Sequence, residues 1–205
     1  MSTIGIATVL RSIFVGIQPD SIESNYNNQI VNALEAGQTV KKTNNPSLRL
    51  PSNIDRAQIE NYFQLGDIYF ALVMQPSMNI LLQLPKGFDT TFTGILISKR
   101  GEPQWTNFME IKDKGNDNQN NPYYLWTDSN KLLLSVVDQN GAGSGEGTMK
   151  LFTFTSEGWK LTECYYFGES YDEPAVDGDY FAYSSKLSEQ TSKSLSECNN
   201  VSVLF

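Results

Sequence analysis

The densest run of oxygen-bearing side chains set among glycines spans residues 138–146, Asp-Gln-Asn-Gly-Ala-Gly-Ser-Gly-Glu. Asp138, Asn140, Ser144 and Glu146 stand at relative positions one, three, seven and nine. The glycines between them permit the tight backbone path of a calcium loop. The pattern is abbreviated, with Ala142 at position five and no Glu at position twelve. A hard cation takes about six to eight oxygens, so backbone carbonyls or Asp172 and Asp177 would have to complete the set. The competing reading is a glycine-rich hairpin connection that holds no metal, and the cofactor expectation is therefore none or Ca2+. No Gly-Lys-Ser/Thr follows the loop, which sets it apart from a phosphate cradle.

Histidine is absent from the chain. That removes Ser-His-Asp and Cys-His catalysis, and with them the commonest zinc and haem sites. What remains for catalysis is carboxylate chemistry. Glu169, Asp172, Glu173, Asp177 and Asp179 form an acidic run that could supply the paired carboxylates of a glycoside hydrolase. Solvation of such a run is the commoner outcome. For binding, the candidates are the aromatics of the central strands: Tyr123, Tyr124, Trp126, Trp159, Tyr165 and Tyr166. Aromatic side chains on an outward sheet face suit carbohydrate or protein ligands. Alternation along a strand turns about half of such a set into the core.

The net charge of −8 argues against nucleic acid and anionic membranes as partners and leaves a cation, a sugar or another protein. Cys164 and Cys198 are the only cysteines. A disulfide between them would tie the acidic segment back onto the last strong strand and imply an oxidising compartment. Two separate buried thiols are the alternative. No stretch reaches the length of a transmembrane helix, since the apolar run 4–17 is short and carries Arg11.

These residues need elements to position them. Ile6, Val9, Leu10, Ile13 and Ile17 repeat at helical spacing, and a second helix is expected from Asp20, with Glu23 completing a capping box. Its stripe is Ile22, Tyr26, Ile30, Ala33 and Leu34, and Gly37 ends it in the left-handed conformation. Residues 38–53 read as a linker and residues 54–65 as a further short helix capped by Asn53. From Gly66 the period changes to that of strands, at 67–74, 79–84, 93–98 and 105–111. Residues 112–121, KDKGNDNQNN, contain no apolar residue and read as a solvent-exposed loop. Four strands follow at 123–126, 131–137, 149–155 and 159–167, and the apolar end 201–205 reads as a last strand.

The fold class expected is α+β, mainly β: N-terminal helices (1–45) leading into an antiparallel meander or sandwich (46–205), together one globular unit. The functional expectation is a non-catalytic, extracytoplasmic binding or adhesion domain at the cell surface or outside the cell, with a carbohydrate or protein ligand. Two alternatives stand beside it. One is a structural subunit of a surface assembly joined through the N-terminal helix, whose outline is similar to that of type IV pilin-like proteins. The other is a carboxylate-based hydrolase.

Overall fold

The larger sheet opens with two strands, 59–65 and 68–73, joined at Gly66-Asp67: the first buries Phe63 and Leu65, and every residue of the second except Tyr69 is buried. The structure is a computed structural model that describes residues 22–84, 86–89, 91–113, 119–139, 147–167, 191–192 and 201–204. Its elements are α1 (Ile22–Glu35), β1 (Lys41–Thr43), β2 (Ile59–Leu65), β3 (Ile68–Val73), α2 (Met78–Leu81), β4 (Gly94–Lys99) and β5 (Thr106–Asp113). There follow β6 (Gln119–Asp128), β7 (Lys131–Gln139), β8 (Gly147–Thr155), β9 (Gly158–Phe167), β10 (Thr191–Ser192) and β11 (Val201–Leu204). A six-stranded sheet has the order β1-β2-β3-β4-β5-β11, and a five-stranded sheet the order β10-β9-β8-β7-β6. Every pairing between these strands is antiparallel. The protein is mainly β.

The alternation decides which faces meet. Phe63, Leu65, Phe70, Leu72, Ile95, Ile97, Met109 and Ile111 share one face of the six-stranded sheet and enter the main core. There they join Leu125, Leu132, Leu134, Val136, Leu151 and Phe152 of the five-stranded sheet. Strand β6 lies against β2, β3, β4 and β5, so the free edge of the smaller sheet is covered by the larger one. Leu132 to Val136 are buried without a break, the signature of a strand covered on both faces. A second cluster fills the outer face of the six-stranded sheet, where Ala71, Val73, Leu96 and Trp105 pack with Ile54 and Phe92.

Helix α1 buries Tyr26, Ile30 and Leu34 in the main core, three positions at i, i+4 and i+8. Gly37 has φ +72° and stops it, with Gly37 N–H bonding Leu34 O at 2.9 Å and Gln38 N–H bonding Ala33 O at 3.0 Å. The Tyr26 hydroxyl donates to Glu102 Oε2 at 2.5 Å, on the β4–β5 hairpin. Glu102 also accepts from Lys99 N–H at 2.9 Å and Ser98 Oγ at 3.2 Å. Burial, then the hydrogen bond to Glu102 and its charge, pushes the tyrosine well up from its ordinary value. Burial also pushes the Glu102 carboxyl up, but the donors, Tyr26 first, outweigh it and hold it below the usual carboxylate range.

Four expectations are corrected. Residues 54–65 are not a helix: Asp55 caps a single 3-10 turn at Arg56–Gln58 with a reciprocal capping box, and β2 begins at Ile59. The capping chemistry is genuine, but pairing with β3 outweighs the helical spacing. Residues 79–84 do not form a strand; Met78–Leu81 is one helical turn. The linker 38–53 contains edge strand β1 and lays Leu48 and Leu50 against the outer cluster, anchored where Arg49 N–H bonds Pro103 O (3.1 Å) and Trp105 N–H bonds Arg49 O (2.9 Å). The polar run 112–121 is not one exposed loop, because β5 continues to Asp113, β6 starts at Gln119, and Asn120 and Asn121 are buried.

Candidate functional site

The registers of the five-stranded sheet line up its strand ends. Gln119 pairs with Gln139, Gln139 with Gly147, and Gly147 with Phe167. Segments 114–118 and 140–146, and the chain beyond Phe167, therefore all depart from one end of this sheet, from four adjacent strands. The opposite end is closed by tight turns. Ser129 (φ 44°) and Asn130 (φ 65°) make a two-residue turn with both φ positive, the form that matches hairpin twist. Thr155 and Gly158 close the β8–β9 hairpin.

Moving inward from the open end, the second row is Asn120, Asp138, Thr148 and Tyr166. The third is Asn121, Val137, Met149 and Tyr165, and the fourth is Pro122, Val136, Lys150 and Cys164. Strand β10 adds Thr191 and Ser192 beside Tyr166 and Tyr165. The sheet thus brings Asp138, Cys164, Tyr165 and Tyr166, which are scattered in sequence, to within four rows of one end.

Polar side chains line the interior here, and sequence reasoning did not single them out. Lys150 is 2% exposed, and its Nζ donates to Asn120 Oδ1 at 2.7 Å. Asn121 is buried too, and its Oδ1 accepts the Gln75 N–H at 2.9 Å, fastening β6 to the turn after β3. A lysine in an alternating strand reads as outward, and asparagines in a polar run read as a loop. Only the sheet register reverses both readings. In the outer cluster, Gln58 donates from Nε2 to Asp89 O at 2.9 Å. Burial pushes the Asp89 carboxyl up, but hydrogen bonds from Thr91, Phe92 and Asn53 outweigh it and hold it below its ordinary range.

Three of the six aromatic candidates lie in the core. Tyr124, Trp126 and Trp159 are all buried. Tyr124 meets Phe63 edge-on at 4.9 Å and stacks tilted on Trp126 at 4.8 Å, while Trp159 meets Phe154 at 5.2 Å and 71°. All three belong to the main core and are therefore unavailable to a surface ligand; Tyr124 and Trp126 are covered because β6 lies against the six-stranded sheet, where the sequence predicts an open face. Tyr123 is half-buried. Tyr165 and Tyr166 are placed through their β9 backbone only.

Of the calcium candidates, Asp138 is placed through the β7 backbone, and Asn140, Ser144 and Glu146 lie outside the described residues. Among the described residues no group of three or more His, Cys, Asp or Glu side chains could hold a metal ion. Cys164 is buried on β9, and Cys198 lies outside the described residues, as do the acidic run 169–179 and the N-terminal run 1–21. No described helix is long and apolar enough to cross a membrane. Compared with family models, curated proteins and solved structures, the chain matches none.

Proposed function

We propose that this protein is a non-catalytic, extracytoplasmic binding or adhesion domain that meets its ligand at the open end of the five-stranded sheet. The observation that carries this reading is the row Gln119–Gln139–Gly147–Phe167. A rigid β scaffold that gathers several connecting segments at one end is the usual way such folds present a variable surface. The segments that leave this row are rich in hydrogen-bonding side chains: Lys-Gly-Asn-Asp-Asn at 114–118, Asn-Gly-Ala-Gly-Ser-Gly-Glu at 140–146, and the acidic, tyrosine-bearing chain after Phe167. Their chemistry suits a hydroxyl-rich carbohydrate or a polar protein surface, with Ca2+ as a bridging ion at the 138–146 loop. A Cys164–Cys198 disulfide is part of the proposal, since it would hold the segment after Phe167 close to this end.

The test is an array of glycans and extracellular-matrix proteins probed with the whole chain, with and without calcium. Specific binding is expected, lost when 140–146 is replaced by a short Gly-Ser connection and kept when the Ser129-Asn130 turn is altered. An array without hits, or binding that follows the Ser129-Asn130 turn instead, overturns the reading. Labelling of both cysteines in unreduced, unfolded protein removes the disulfide from it.

A further inference from the structure

A buried lysine whose amine touches a buried carboxamide has the makings of a covalent bond. Lys150 on β8 and Asn120 on β6 are 2% and 4% exposed, and Nζ stands 2.7 Å from Oδ1. With a C=O length of about 1.23 Å, Nζ is then no more than about 4 Å from Cγ. That is close to the separation from which oriented groups react, and confinement by two strands of one sheet supplies the high effective concentration. Exclusion from water keeps hydrolysis of the product out. Strand β7 separates the two, and its register sets Asp138 directly opposite Asn120.

We propose that Lys150 and Asn120 join in an intramolecular isopeptide bond. The Nζ lone pair adds to Cγ of Asn120, a proton passes from Nζ to the amide nitrogen, and the Cγ–Nδ2 bond breaks with its electron pair on nitrogen. The products are a secondary amide and one ammonia. Nothing is oxidised or reduced, and no co-reactant is needed. The product replaces a buried amine with a neutral secondary amide. It also closes β6, β7 and β8 into a covalent ring, and this holds whether or not the open end of the sheet binds a ligand.

The test is the intact mass of the whole chain, unfolded and reduced, followed by peptide mapping. A mass lower than that of the sequence by one ammonia is expected, with a branched peptide joining the segments around residues 120 and 150. The full sequence mass overturns the proposal, as does loss of one water with the branch at Asp138. Ring closure at Asn140-Gly141 also releases ammonia, so a deficit that persists in Lys150→Arg, or that maps without a branch, overturns it too. Asn120→Asp is expected to form the same bond with loss of water in place of ammonia. The branched peptide in the unmodified sequence is the deciding measurement should a variant fail to fold.

Discussion

Tyr26 and Glu102 show how much one residue pair does for this fold. Tyr26 sits in the buried stripe of α1, and its hydroxyl is one of three donors that converge on a single carboxylate of the β4–β5 hairpin. Tyr26→Phe keeps the ring and removes one charge-assisted hydrogen bond, so it is expected to lower stability by about 1–3 kcal/mol in urea unfolding. The pH dependence has two signs. The Glu102 carboxyl is lowered from 4.5 in the fold, so its contribution is present above that value and disappears as pH falls through the folded one. The Tyr26 hydroxyl is raised from 10.0, so its contribution is present below that value and is lost as pH rises through the folded one. The gap between wild type and Tyr26→Phe should therefore be constant between about pH 5 and 9 and narrow on both sides. A gap that does not change with pH would show that Glu102 is not the partner that matters.

At the scale of elements, the strands β6 to β9 were legible in the chain because alternation and turn residues agreed. Thr127–Asn130 and Ser156–Gly158 are both turns at the expected places. Residues 54–65 were not legible. Ile54, Gln58 and Leu65 fit a helical face as well as a strand, and the Asp55–Gln58 capping box starts a true turn. Only pairing with β3, remote from any local signal, decides for a strand. The site was half legible for the same reason. Composition identified the 138–146 segment, whereas the Lys150–Asn120 contact spans 30 residues and exists only through register. Conversely, an aromatic run reads as a binding face in the sequence, because which sheet covers which is set by tertiary packing alone. The segment that precedes β2 is itself an element of the core. Ile54 is 2% exposed beneath the outer cluster, and Ile54→Ala is expected to cost about 2–4 kcal/mol. Limited proteolysis checks where that cost falls: cleavage should rise first within 44–53, ahead of any cut in β6–β9. Simultaneous loss of the whole chain would mean that this cover and the main core unfold as one.

At the scale of the molecule, the six-stranded sheet is bounded by its two shortest strands. Strand β1 has three residues, with Lys41 and Lys42 exposed, a short charged edge of the kind that discourages pairing with another chain. Strand β11 has four residues and covers β5 from Asp113 to Glu110. Removing residues 199–205 leaves that side of β5 unpaired, and the shortened chain is expected to self-associate in light scattering at concentrations where the full chain is monodisperse. Unchanged scattering would mean that β11 does not protect the edge. Because the closing strand is the last element in the described residues and pairs with β5 alone, it can also be supplied from outside. A synthetic peptide of residues 199–205 should dock on the shortened chain in register with Ile111, suppress its clustering, and so turn this protein into a two-part reporter whose halves signal when they meet.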